Sequence, residues 1–123
     1  MIHEINSHDW PLFCQRLTEQ RADAGVKLEV IGSNGLRIEK VANATLQSMV
    51  FEATDSCSDL IRLRLKNPGE IIHEIIEPIQ ITLQSSGNTA DLNLITIEAE
   101  SGITLIILHP AIHAQMLEGF KNK

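Results

Sequence analysis

Tyrosine is absent from this chain of 123 residues, and aromatic side chains make up only 3% of it. Little surface is therefore offered for stacking sugars, and the core must be aliphatic, with isoleucine and leucine dominant. Long apolar runs are missing as well. No stretch reaches the roughly 18 residues that a membrane-spanning helix needs. The first residues lack the basic-then-apolar pattern of a secretory leader. Positive charge is scarce: 10 Lys and Arg stand against 16 Asp and Glu, for a formal net charge of -6. Such a balance disfavours nonspecific attachment to nucleic acid or to anionic membrane. Arg62, Arg64 and Lys66 alternate on one side of a strand pattern, which suits a solvated face. Cysteine is limited to Cys14 and Cys57, which form no CxxC pair, and nothing demands an oxidising compartment. The expectation is a single soluble, cytoplasmic domain over residues 1–123, with no cofactor and neither nucleic acid nor membrane as partner.

What is present is short-period alternation. An apolar fraction of 43% suffices for a packed core in a chain of this size. Trp10, Phe13, Cys14 and Leu17 fall at i, i+3, i+4 and i+7, the stripe of an amphipathic helix. Ser7 or Asp9 can cap it, Pro11 fits its first turn, and Gly25 reads as its stop. From Val26 the period becomes two: Val26, Leu28 and Val30 alternate with Lys27 and Glu29. Asn34-Gly35 signals a hairpin turn, after which Leu36 and Ile38 resume the alternation. "NATLQSMVFEA" reads as a further strand after a short connection, and "DSCSD" as a loop. "LIRLRLK" is a strand ended by "NPG". "IQITL" alternates again, "QSSGNTAD" is a polar loop, and "LNLITIEAESGITLIIL" reads as two strands about Glu100-Ser101-Gly102. Because "ITLIIL" is apolar on both sides, it belongs near the middle of the sheet. "HPAIHAQMLEGFK" suggests a short C-terminal helix, with Pro110 in its first turn, Ile112, Met116 and Phe120 four apart, and Gly119 near its end. Tight connections imply antiparallel neighbours. The fold class is α+β: a largely antiparallel sheet or partly closed barrel of seven or eight strands, with an N-terminal amphipathic helix and a short C-terminal one.

Residues 70–77, "EIIHEIIE", admit two readings. As a helix, Asn67 caps, Pro68 begins it, and Ile71, Ile72, Ile75 and Ile76 form the apolar stripe. As a strand, Ile71, His73 and Ile75 share one face while Ile72, Glu74 and Ile76 share the other. β-branched density favours the strand, and Glu74 then reaches solvent at a sheet edge.

"DWPLFCQRLTEQRADAGVKLEVIG", "LQSMVFEATD", "IIHEIIEPIQITL" and "LNLITIEAESGITLIIL" together resemble the DUF5335 family of small bacterial proteins of unknown function. The recurring positions of that family fall here on Trp10, Phe13, Leu46, His73, Ile75, Pro78 and Gly102. Its members often finish soon after the last strand with an apolar-basic-aromatic ending. This chain instead runs on through "LIILHPAIHAQMLEGF" without an arginine. The resemblance implies extended chain at residues 70–77 and supplies no reaction or ligand.

Chemistry-bearing residues are few. His73 can serve as a hydrogen-bonding residue of a packed element or as a general base in a pocket, with Trp10 and Glu77 as companion ligand-binding candidates. No serine or cysteine is tied to it by a motif. His109 and His113 stand at i and i+4, which on a helix can hold a metal, but "HPAIH" lacks the internal glutamate and a third ligand. Glu98 and Glu100 share a strand face without a facing carboxylate across a cleft. Cys57 is flanked by acids that oppose thiolate formation. "GSNG" lacks the lysine and hydroxyl of a phosphate loop. With no connected catalytic set, the leading reading is a non-enzymatic binding or interaction module that can pair as a homodimer through edge strands. The other reading is a small enzyme or ligand-binding protein with a pocket at His73.

Overall fold

The computed structural model describes residues 2–53, 59–85, 92–112 and 119–120. Among the described residues eight strands are formed: β1 (Ile2–Ile5), β2 (Gly25–Gly32), β3 (Arg37–Ala53), β4 (Asp59–Asn67), β5 (Gly69–Ile76), β6 (Pro78–Gln84), β7 (Leu92–Ala99) and β8 (Gly102–Ile112). Helix α1 (Trp10–Arg21) lies between β1 and β2. The strands make one sheet in the order β1-β6-β7-β8-β2-β3-β4-β5, antiparallel throughout and unclosed. Its edges are β1 and β5.

The sheet folds back on itself. Four strand spacings separate β5 from β8, which in a flat sheet is roughly 19 Å. Yet the His73 ring on β5 lies 3.1 Å from the Thr104 hydroxyl on β8. Neither side chain is long enough to span a flat sheet, so β5 must stand over β8.

The bend is carried by β3. This strand pairs with β2 as far as Thr45 and with β4 from Thr45 onward. Register shifts interrupt both ladders, between Val26 and Leu28, Leu28 and Glu29, and Leu46 and Ser48. Bulges of this kind raise the local twist and bend a strand. Beyond Thr45, the edge of β3 that β2 leaves free is taken by the end of α1 and the chain leaving it. Asp23 N–H donates to Leu46 O at 2.8 Å, and Leu46 N–H to Ala24 O at 2.9 Å. Thr18 Oγ1 accepts from Met49 N–H at 2.9 Å, and its single proton is shared between Cys14 O at 2.9 Å and Met49 O at 3.0 Å. A threonine hydroxyl thus stands in for a missing strand.

The core fills the inside of the curl. Leu46, Met49, Ile61, Leu63 and Leu65 come from one half, and Val26, Leu28, Ile81, Leu83, Ile95, Ile97, Ile106 and Leu108 from the other. Trp10, Phe13, Cys14 and Leu17 of α1 close one side. Trp10 is fixed by its indole N–H, which donates to Ile5 O at 3.1 Å, and by an edge-on contact with Phe51. Phe120 packs edge-on against Phe13, under the guanidinium of Arg16.

Several sequence-based expectations are corrected. The separate strands expected before and after residue 42 are one 17-residue strand, β3, because bulges rather than a loop absorb the change of direction. β1, "IHEI", was not anticipated; four residues are too few for alternation to stand out. Gly25 does not stop α1. The left-handed residue is Asp23 (φ 69), and Gly25 opens β2, where a Cβ would lie 3.2 Å from the His109 carbonyl oxygen. Neither Ser7 nor Asp9 caps α1 through its side chain: Asn6 caps a preceding 3-10 turn over Ser7–Asp9. Leu36 and Ile38 alternate but are exposed. The C-terminal helix does not begin at Pro110, since β8 runs through to Ile112, paired with Leu92. The rest of that expected helix, at 113–118, lies outside the described residues. The hairpin at Asn34-Gly35 forms as expected, with Gly35 N–H donating to Gly32 O. β8 is central and largely buried. It starts at Gly102 (φ 149), where a Cβ would meet Ile31 O at 2.4 Å.

Replacing Thr18 by Val keeps the shape but leaves the Met49 N–H without its partner. Chemical denaturation should show a loss of about 1–3 kcal/mol, the usual cost of an orphaned buried donor.

Candidate functional site at His73 and the outer edge of the sheet

Residues 70–76 form a strand at the sheet edge, with β4 as neighbour in unbroken register. Ile71, His73 and Ile75 point into the curl and Ile72, Glu74 and Ile76 point out, as the strand reading required. The hydrogen-bonding direction follows from the turn that ends β5. Glu77 N–H donates to Asp59 O at 2.8 Å, across β4. Antiparallel ladders alternate, so residues 71, 73 and 75 exchange bonds with β4. The N–H and C=O groups of Ile72, Glu74 and Ile76 point away from it.

His73 is half-buried opposite Leu63. Its Nε2 meets Thr104 Oγ1 at 3.1 Å. Burial, then the nearby positive charge of Lys40, hold its pKa below the ordinary 6.5, so the ring is neutral at pH 7. The partner is a hydroxyl and not a carboxylate, so the paired acid that orients and polarises a catalytic imidazole is not what the ring bonds to.

The other candidates are dispersed. Trp10, the first residue of α1, sits in the core against Phe51 of β3 and is only 5% exposed. Glu77 is exposed at the left-handed turn (φ 53) that leads into Pro78. His109 is exposed near the end of β8, and His113 lies outside the described residues. Among the described residues no group of three or more His, Cys, Asp or Glu could hold a metal ion. Cys14 is buried, which pushes its thiol up to about 12 and leaves it unreactive; Cys57 is outside the described residues. Glu98 is half-buried on β7, and Glu100 is exposed in the following turn.

Two features escaped the sequence. The first is a charge lattice on the outer face of β3, β4 and β5. Arg62 bridges Glu52 at 2.5 Å and Glu74 at 2.9 Å, and Arg64 reaches Glu70 at 3.4 Å. The alternating Arg62, Arg64 and Lys66 were legible, but their cross-strand acids depend on register. Among these charges stand Val50, Ile72 and Ile76, 43%, 51% and 60% exposed. Scattered exposed apolar residues are ordinary; two on one side of an edge strand are less so. The second is an open groove of about 680 Å³, where His109, Gly25, Thr45 and Lys66 form one cross-strand row flanked by Lys27 and Asn43. Lys27 already pairs with Glu39 at 3.6 Å.

Compared with protein-family models, curated proteins and solved structures, the chain matches none. No helix among the described residues is long and apolar enough to cross a membrane.

Because the folded-state pKa of His73 lies below its unfolded value of 6.5, unfolding takes up a proton as the pH falls. The stability that the neutral ring contributes is complete above that value and is lost progressively below it. His73→Asn should flatten this part of the pH–stability curve and cost about 1–3 kcal/mol at pH 7, measured by denaturant titration. A variant as stable and as pH-sensitive as the parent removes His73 from the fold's polar interior.

Proposed function

We propose that this chain is a small interaction module that acts without catalysis, accepting an extended partner strand along the outer edge of β5. One observation carries the reading: β5 is an eight-residue edge strand with no bulge, no lysine and no internal proline. Those are among the devices by which sheets normally blunt an edge; the charged side chains that β5 does carry, Glu70 and Glu74, are each bridged to an arginine of β4. Strand addition would use the outward N–H and C=O groups of Ile72, Glu74 and Ile76 for affinity, and the exposed side chains of the same residues for selectivity. The opposite edge, β1, is only four residues long. A pocket reading built on His73 has weaker support, because its ring is bonded within the curl.

Amide hydrogen exchange tests whether the edge is available. In dilute solution the amides of Ile71, His73 and Ile75 should exchange slowly. Those of Ile72, Glu74 and Ile76 should exchange at rates close to an unprotected chain. Equal protection of both sets at the highest dilution means the edge is already covered within the chain, and the reading fails.

A further inference from the structure

We infer that the strand accepted by β5 is β5 of a second copy, the two running antiparallel about a twofold axis at Glu74. The inference rests on the edge reading above. A twofold axis perpendicular to the sheet joins inner face to inner face. Opposed residues must then share a parity, and the free backbone groups fall on the even-numbered residues Ile72, Glu74 and Ile76. Few registers satisfy both conditions.

Centred on Glu74, Ile72 opposes the partner's Ile76, and by symmetry Ile76 opposes the partner's Ile72. The two most exposed isoleucines of the strand, 51% and 60% exposed, thereby pair twice, and opposed aliphatic side chains favour a register. Centred on His73, each isoleucine would instead face a carboxylate, that of the partner's Glu74 or the partner's Glu70. Centred on Ile75, Ile72 would oppose the partner's Pro78, which has no N–H to give to the ladder.

The register at Glu74 brings two carboxylates together at the axis, and like charges directly opposed are unfavourable. Arg62 answers this. Its Nε and Nη2 donate to Glu74 Oε2 at 3.1 and 2.9 Å, so each carboxylate arrives already bonded to a guanidinium, which it shares with Glu52 at 2.5 Å. The result is a four-membered row across the outer face, Arg62 and Glu74 followed by the partner's Glu74 and the partner's Arg62. On the inner face, His73 comes beside the partner's Ile75.

Light scattering at micromolar concentration should give a species near twice 13.7 kDa. Ile72→Pro removes an N–H that points away from β4, and should halve the measured mass while leaving the circular dichroism of the sheet in place. For the register, a Cys57→Ser background is oxidised with one new cysteine at a time. Glu74→Cys should form a cross-linked dimer and Ile72→Cys should not. The double variant Ile72→Cys with Ile76→Cys should cross-link as well, which covers the case where loss of Glu74 weakens pairing. Cross-linking through His73→Cys but neither Glu74→Cys nor the double variant overturns the register. A monomer at every concentration, with the edge amides still exchanging freely, overturns the second-copy inference while the edge reading stands.

Discussion

Everything in this fold depends on one strand serving two partners in turn. β3 hands the sheet from β2 to β4 at Thr45, through bulged ladders on both sides. The bend turns one sheet into two facing layers, and the core is what lies between them. It also opens a length of β3 edge that α1 must cover, which explains why a threonine hydroxyl accepts from Met49 N–H. Without the bend, β5 would be far from β8, and Leu63 and Ile75 would face water instead of lying in the core.

The interior is almost purely aliphatic, so its polar exceptions are informative. Thr104 is buried, and its hydroxyl meets the His73 ring across the curl. That contact suits a neutral imidazole, which can both give and take a hydrogen bond. The charged contacts lie outside, where each contributes little in isolation. Glu29 is the partial exception: nearly covered, it accepts from Arg37, which draws its carboxyl below the usual range. The ion pairs of Arg62 and Arg64 act more on strand register and on what may approach β5 than on stability.

The sequence was informative wherever a pattern repeats over several residues. The helical stripe from Trp10 to Leu17, the two faces of β4 and β5, and the central place of β8 all follow from periodicity and were found where expected. The continuity of β3 was not legible, because a bulge adds a residue and breaks period two as a loop would. The start of the expected C-terminal helix failed for another reason. Pro110 suits a first helical turn, but tertiary pairing to β7 holds 110–112 extended, and local propensity yields to such pairing. The candidate site was legible residue by residue but not as an arrangement. His73 stands out in the sequence as the one histidine of an apolar run, whereas its partner Thr104, 31 residues away, belongs to another element and carries no motif.

A molecule built this way has its His73 ring bonded within the curl, and the backbone N–H and C=O groups of Ile72, Glu74 and Ile76 facing away from β4. That division suits the interaction module proposed above. It rests on the fold-back that sets β5 over β8. A nuclear Overhauser contact between the His73 ring protons and the Thr104 methyl tests this most directly. A clear cross-peak in the folded chain at neutral pH is the expected result. Its absence from a fully assigned spectrum, with β4–β5 pairing intact, would contradict the account.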